Sequence, residues 1–271
     1  MPISKENRTY ASRFKTDVSV DQTTNTGFDS TTRLLVSGDG ASSAASLSDD
    51  VLSVKPVNDN TTGTMLVKNS GGSNILSVDT TNSKVLVGAS QVAANTNYAH
   101  FGIDYVGSAA NIADTHMAIP FGLSESSVSY VSMGSSTSSS FNDTNPATSL
   151  TITTTAHSVV NMFWYIMDDI TVDAVKWWSG ADAAAGDDIA THLMAYTVDS
   201  ANGSTGGDLS GGVVVADGAT ITNAGYEQAY YQSMTIQSAN VDAGKVVLFT
   251  LASDTINSDY SINATVKYHI R

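Results

Sequence analysis

Short apolar segments recur in the first third of the chain, and small polar residues separate them. They occupy residues 34–36, 51–54, 65–67, 75–78 and 85–87, and Leu66, Leu76 and Leu86 stand ten residues apart. Each segment has the length of one β-strand, and the Asn, Ser, Thr and Gly residues between them favour turns. The regular spacing predicts a repeat-like series of short strands over residues 31–95.

These short strands need a partner, because a ribbon of two or three such strands is marginally stable in water. Three copies of the chain wrapped about one axis would bury the apolar side chains and cover one another's strand edges. We therefore predict that residues 31–95 form a short intertwined β stalk that holds a homotrimer together. A monomeric meander that packs on the rest of the chain is the alternative. The predicted trimer-interface residues are Leu52, Leu66, Leu76, Val78 and Leu86.

The C-terminal part of the chain, residues 116–271, carries a denser series of apolar segments without a helical period. Short strands with turns between them predict a jelly-roll-like β-sandwich. Residues 162–167 are apolar at every position, which predicts a central strand or a strand buried between subunits. The ten predicted strands are residues 117–123, 127–133, 150–154, 159–167, 170–177, 189–197, 213–215, 232–237, 245–251 and 260–269.

The N-terminal residues differ from the rest in charge. Five of the twelve basic residues lie at or before Arg33, whereas the remainder is acidic. This asymmetry favours an anchoring arm over residues 1–30 that docks on an acidic assembly, with a solvated tail as the alternative. Residues 96–115 are weakly patterned and predict a connector between the stalk and a head domain at residues 116–271. The predicted anchoring residues are Arg8, Tyr10, Arg13, Phe14 and Lys15.

Charge and composition exclude several classes of function. The net charge of −14 argues against binding to nucleic acid or to anionic membranes, because both need basic side chains. The chain has no cysteine, and it has neither an N-terminal signal peptide nor an apolar run long enough to cross a membrane. We therefore expect a protein that is made in the cytoplasm and reaches the outside without ordinary secretion.

Catalytic and metal-binding motifs are missing from the sequence. The five histidines lack the spacing of a zinc site, and no nucleophile elbow or phosphate-binding loop occurs. Neighbouring acidic residues such as Asp168 and Asp169 point to opposite faces of a strand and do not by themselves form a carboxylate pair. Residues 199–208 have oxygen ligands, so calcium stays open, although the spacing is not that of an EF-hand. We expect a protein without an enzymatic activity, a cofactor or a bound metal.

Aromatic residues beside acidic loops form the candidate ligand site. Sugars present apolar C–H faces and hydroxyl edges, so flat aromatic rings beside acceptor oxygens suit them. Alternation along a strand predicts that one residue of the Trp177-Trp178 pair points into the core and the other points outward. The outward residue would fill a subunit interface or contact a glycan. The candidate glycan contacts are Trp177, Trp178, Tyr226, Tyr230 and Tyr231.

Two segments resemble proteins of tailed bacteriophages. Residues 76–88, LSVDTTNSKVLVG, resemble a short repeat of phage fibres and spikes, where such segments form intertwined trimeric β-stalks. Residues 257–270, NSDYSINATVKYHI, and residues 224–228, AGYEQ, resemble the terminal β-domain of virion proteins, particularly of marine phages.

The resemblance implies a homotrimeric structural protein at the virion surface, attached to capsid or tail proteins through its N-terminal arm. A short fibre or a surface ornament is the function that it favours. The alternatives are a capsid decoration protein that stabilises the shell and a tail-fibre adhesin that binds a host surface glycan. A spike that degrades polysaccharide is the enzymatic rival.

Overall fold

The computed structural model describes residues 18–20, 28–37, 41–88, 92–93, 95–106, 115–124, 131–135, 146–152, 159–182, 185–254 and 259–271. The chain divides into two compact units, Met1–Asn95 and Thr96–Arg271. The prediction of an all-β protein is confirmed, because the described elements are strands apart from one short 3₁₀ helix, Val160–Met162. The predicted anchoring residues lie outside the described residues. They are Arg8, Tyr10, Arg13, Phe14 and Lys15.

The first unit contains two antiparallel sheets, each with four strands in chain order. Side-chain hydrogen bonds fix the turn that joins residues 74–79 to residues 84–87. The Asp79 carboxylate accepts hydrogen bonds from the Asn82 backbone N–H (2.9 Å) and side-chain amide (2.8 Å), and Ser83 adopts a φ of 54°. The strands are β1 (Val18–Val20), β2 (Arg33–Ser37), β3 (Ser42–Leu47) and β4 (Leu52–Val54) in one sheet, and β5 (Met65–Lys68), β6 (Asn74–Asp79), β7 (Lys84–Val87) and β8 (Val92–Ala93) in the other.

The second unit contains two larger sheets. The six-stranded sheet consists of β9 (Thr96–Val106), β11 (Gly122–Ser124), β14 (Ile170–Asp182), β18 (Gln228–Ser233), β20 (Asn240–Val241) and β22 (Asp259–Ile270). The eight-stranded sheet consists of β10 (Thr115–Ile119), β12 (Ser132–Ser135), β13 (Trp164–Tyr165), β15 (Asp188–Val198), β16 (Leu209–Asp217), β17 (Ile221–Thr222), β19 (Thr235–Ile236) and β21 (Lys245–Ser253).

The strand order of the second unit is that of a jelly roll. The central strands of one sheet lie in the order β9-β22-β14-β18, and those of the other lie in the order β10-β21-β15-β16. Numbered by their place in the chain, these eight strands give the orders 1-8-3-6 and 2-7-4-5, with every neighbouring pair antiparallel. The jelly-roll-like β-sandwich predicted from the sequence is therefore confirmed.

The main core lies between the two sheets. Alternate residues of β22 and β14 point into it, as the alternation predicted: Ile262, Ala264 and Val266 are buried, and so are Val175 and Trp177. Opposite them, the eight-stranded sheet contributes alternate residues of β15 and β21. These are Leu193, Ala195, Val247, Phe249 and Leu251.

A second apolar layer covers the other face of the eight-stranded sheet. Residues 189–196 and 246–253 are buried at every position, so β15 and β21 are the strands buried on both faces. This layer forms around Met194, Tyr196 and Leu248 and includes Met133 of β12. Residues outside the strands of the sheet complete it: Val131, Ile152, Val159 and Met162.

Two sequence predictions are corrected by this arrangement. The central strand predicted at residues 162–167 is instead the end of the 3₁₀ helix followed by β13, which has two residues and pairs with β21. Tyr165 is 53% and Met167 81% exposed, whereas Trp164 and Ile166 are buried. The connector predicted at residues 96–115 contains β9, an 11-residue strand of the sandwich that pairs with β22.

Candidate functional site

The outer face of the six-stranded sheet carries exposed polar and aromatic side chains. Trp177 is 1% exposed and packs in the core, whereas Trp178 is 60% exposed on the outer face, so the predicted in-and-out alternation is confirmed. Lys176 and Asp182 share that outer face with Trp178. All three side chains are exposed.

Trp178 and Tyr231 form an exposed aromatic pair, which we call the aromatic shelf. They lie opposite each other on β14 and β18, and their ring centroids are 5.0 Å apart at an angle of 44°. On its other side Trp178 lies opposite Asn263 of β22, which is also exposed. The shelf therefore combines two apolar ring surfaces with a neighbouring amide that both donates and accepts hydrogen bonds.

A cleft of about 480 Å³ lies beside the aromatic shelf, two residues further along β14, β18 and β22. Its floor is made of small residues, Gly180, Ala229 and Ser261, which are cross-strand neighbours. The Gly180 N–H donates to Ser261 Oγ (3.2 Å), and a Cβ at position 180 would lie only 2.8 Å from that oxygen. Carboxylates surround the floor, and none of the described lining residues is basic, so we call it the acidic cleft. The carboxylates are Asp104, Asp182, Glu227 and Asp259.

The loop of residues 223–227 forms one rim of the acidic cleft and is fixed by Tyr230. The Tyr230 hydroxyl donates to Asn223 Oδ1 (2.5 Å) and accepts from the Ala224 N–H (2.8 Å). This clamp holds Tyr226 in an exposed position and Glu227 in the left-handed conformation, with a φ of 53°. Left-handed backbone at a non-glycine residue needs support from its surroundings, and the hydrogen bonds of Tyr230 fix the start of this loop.

The five candidate glycan contacts therefore have four different roles. Trp178 and Tyr231 come together as the aromatic shelf, and Tyr226 is exposed on the loop at the cleft rim. The prediction is wrong for Trp177, which is buried because its strand alternates. Tyr230 is half-buried and supports the loop. Sequence reasoning missed Asp104, Gly180, Asp259 and Ser261, because they reach the cleft from three strands that are far apart in the chain.

The first unit carries a second candidate surface, on the sheet of β5, β6 and β7. Residues that are paired across antiparallel strands point to the same side. The pairs Met65–Val78, Val67–Leu76, Val85–Val78 and Val87–Leu76 therefore place six apolar side chains on one face, which we call the stalk face. Leu76 and Val78 are half-buried in the middle, and the other four are exposed.

The stalk face contains only part of the predicted trimer interface. Leu76 and Val78 belong to it, but Leu66 and Leu86 lie opposite Ser77 and point to the other side of the sheet. The ten-residue spacing misled the prediction, because the turns between the strands change the register. Leu52 is exposed on β4, which belongs to the other sheet.

Two buried histidines meet on the covered side of the eight-stranded sheet. The rings of His116 and His192 are 5.0 Å apart and nearly perpendicular, and His192 Nε2 lies 3.3 Å from Asp217 Oδ1. Burial, with a smaller contribution from His116, lowers the pKa of His192 to about 4, and burial raises the pKa of Asp217. At neutral pH His192 is therefore uncharged, so its contact with Asp217 is not an ion pair.

The structure offers no arrangement that would hold a metal ion among its described residues. The loop of residues 199–208 was the candidate for a calcium site. Its Asp199 and Asp208 carboxylates accept hydrogen bonds from backbone N–H groups instead. Asp199 Oδ1 accepts from the Ala201 N–H (2.9 Å), and Asp208 Oδ1 accepts from the Ile152 N–H (2.6 Å). In the described part of the chain, no helix is long and apolar enough to span a membrane.

Comparison of the sequence with protein-family models gives no match, and comparison with curated proteins gives no significant match either.

Proposed function

We propose that this protein is a non-enzymatic structural protein of a tailed-phage particle, assembled as a homotrimer at the virion surface. The stalk face carries this proposal. It places six apolar side chains on one side of a small sheet, and four of them are exposed to water. A sheet of this size is marginal without a partner, and a copy of the same face on another chain is a complementary partner.

The segment that resembles phage stalks supports the proposal structurally. Residues 76–88 form the β6–β7 hairpin, whose turn is held by the Asp79 carboxylate. The hairpin presents Leu76, Val78, Val85 and Val87 on the stalk face. The resembling residues are therefore the ones that supply two of its three strands.

The jelly roll supports the same proposal by analogy. Viral capsid proteins and lectins are among the proteins that use this fold. Folds host many functions, so the analogy adds weight only together with a site. The acidic, polar outer face of the six-stranded sheet suits a domain that stands on a particle and faces solvent.

A second candidate function, glycan binding by the sandwich, is favoured by the aromatic shelf. Trp178 and Tyr231 offer ring surfaces for the C–H face of a sugar, and the neighbouring acidic cleft offers acceptors for its hydroxyl groups. The carboxylates favour a neutral sugar over an acidic one, because an anionic ligand would be repelled. Under this second candidate function the protein is an adhesin that is anchored through residues 1–30.

The non-enzymatic assignment rests on the openness of this site. Asp182 and Asp259 lie directly opposite each other on β14 and β22, so a carboxylate pair exists. A glycosidase needs one carboxyl group kept protonated by a buried environment, whereas Asp182 is exposed. Incubation with host surface polysaccharide should release no reducing ends, and reproducible release would contradict the assignment.

Sedimentation of the full chain tests the trimer. We expect about three times the mass of the 28.2 kDa chain at micromolar concentration. Leu76→Asp should dissociate the trimer, because each copy would bury a charge in the interface. Ile75→Asp is the matched control, since Ile75 is exposed on the opposite face of the same strand. A wild-type monomer, or equal dissociation by both variants, would contradict a trimer built on the stalk face.

The copy number of the protein in purified particles separates the remaining alternatives. Hundreds of copies would identify a decoration protein of the shell, whereas a few tens or fewer would identify a tail fibre.

A further inference from the structure

One end of the sandwich carries an exposed apolar surface that the sandwich itself does not use. Met167 is 81% exposed, Tyr165 53%, Ile270 43% and Phe121 42%. Trp164 lies beneath them, stacked on Phe121 with an angle of 2° and in edge contact with Tyr268 at 4.9 Å. A concavity of about 250 Å³ opens between Tyr165, Met167 and Ile270. We call this surface the end patch.

We infer that the end patch is a contact between copies of this chain, made once the stalk has brought the copies together. The inference rests on the proposed trimer and adds a second interface to it, on the sandwich. Three features of the patch carry it: its area, its place in the chain and its charged rim.

The area of the end patch is too small for a free partner. With side-chain areas of about 150–250 Å², these exposed fractions correspond to roughly 400 Å² of apolar surface. A stable interface buries about 800 Å² on each partner, so the patch supplies about half of that. Such a patch is effective when another interface already holds the partner nearby, because tethering raises the effective concentration to the millimolar range.

The tether enters the sandwich beside the patch. The first two residues of β9, Thr96 and Asn97, pair with His269 and Tyr268 at the end of β22. Tyr268 and Ile270 line the patch. Since residue 95 ends the first unit, the chain that would be held by the stalk reaches the sandwich at this end. In each copy the patch therefore lies at the end of the sandwich where the chain arrives from the first unit.

The rim of the patch carries charges of both signs. Arg271 Nη2 lies 2.8 Å from Asp242 Oδ1 and 3.9 Å from Asp169 Oδ2, and Asp168 lines the concavity. A cation beside carboxylates allows the rim of one copy to match the rim of another, although the chain as a whole is strongly acidic. A partner that is uniformly acidic or uniformly basic would meet one repulsive contact on this rim.

Cysteine cross-linking tests the inference cleanly, because the wild-type chain has no cysteine. Met167→Cys in the assembled protein, treated with a short bis-maleimide, should give covalent dimers on a denaturing gel, because each chain then carries a single thiol. Ser204→Cys, in the exposed loop after β15, is the matched control and should stay monomeric. Met167→Asp should raise the dissociation constant of the trimer about tenfold, as loss of a central contact does.

The outcomes separate the inference from the proposed function. A wild-type trimer without a Met167→Cys cross-link would overturn the inference and leave the trimer standing. If Met167→Cys in the trimer is alkylated only slowly and is never cross-linked, another part of the same chain covers the end patch. That result would overturn the inference as well. A wild-type chain that sediments as a monomer would overturn both.

Discussion

Trp178 on β14 and Tyr231 on β18 face each other across the outer surface of the jelly roll, with 5.0 Å between their ring centroids. Their immediate chain neighbours, Trp177 and Tyr230, point the other way and hold the core and the loop of residues 223–227. One aromatic pair is thus structural and the other is presented to solvent. The exposed pair has no role in folding that the described contacts show.

Removal of Trp178 from the shelf should weaken glycan binding without unfolding the protein. We expect Trp178→Ala to weaken binding to neutral host polysaccharide at least tenfold, which corresponds to about 1.4 kcal/mol and is a typical cost of losing a central contact. Its midpoint of unfolding should change little, because the side chain is exposed. Tyr165→Ala removes an equally exposed aromatic from the end patch and serves as the control. Equal loss in both variants, measured by calorimetry, would count against the shelf.

Stability should fall as the pH drops below 6.5. Burial lowers the pKa of His192 from 6.5 in the unfolded chain to about 4. The folded state therefore favours the neutral ring, and its stabilisation is complete above pH 6.5 and lost as the pH falls to 4. That difference corresponds to about 3 kcal/mol. The raised pKa of Asp217 opposes the loss at the acidic end, because its carboxylate becomes protonated there.

Denaturant titrations at pH 7.5 and pH 5 would measure this dependence. His192→Gln should be less stable at pH 7.5 but should show a flatter dependence on pH. His269→Gln is the control, because His269 lies at the surface beside Asp173 (3.0 Å). The same slope in wild type and His192→Gln would show that another group causes the dependence.

The hydroxyl of Tyr230 should control the rim of the acidic cleft. Tyr230→Phe keeps the ring but removes the hydrogen bonds to Asn223 and Ala224, at a cost of about 1–2 kcal/mol. Hydrogen exchange in residues 223–227 should accelerate, because Glu227 loses the support for its left-handed backbone. Tyr231→Phe, one residue along and on the outer face, should leave the exchange unchanged. Unaltered protection in Tyr230→Phe would show that the loop is held by other contacts.

The N-terminal residues should be required for incorporation and dispensable for assembly. A chain that lacks residues 1–30 should sediment as the wild-type trimer but be missing from purified particles. The reason is that the predicted anchoring residues, Arg8, Arg13 and Lys15 among them, carry the positive charge that an acidic docking surface needs. Normal copy number of the truncated protein in particles would show that the anchor lies elsewhere.

Alternation along single strands predicted the inner and outer residues well, as Trp177, Trp178 and the buried residues of β22 show. The prediction of a fully buried strand failed for residues 162–167, because the segment contains the end of a 3₁₀ helix and a strand of only two residues, and Tyr165 and Met167 stay exposed. The pairing that assembles the acidic cleft could not be predicted, since Asp104, Asp182 and Asp259 belong to strands whose order depends on the whole jelly roll. The ten-residue leucine spacing likewise did not predict the faces of the first unit, because turn length decides the register.

The register of β9 and β22 has a mechanical consequence. The chain enters the sandwich at Thr96, whereas the acidic cleft lies at the opposite end, beside Asp182 and Asp259. When the entry point and a ligand in the cleft are both held, the pulling force runs parallel to the strands. Nine residue pairs join β9 to β22, and a parallel force loads their hydrogen bonds together instead of one after another. A domain that is loaded in this shear geometry resists forced unfolding. A domain that is pulled from the end of one strand would lose the same hydrogen bonds one at a time, at a lower force.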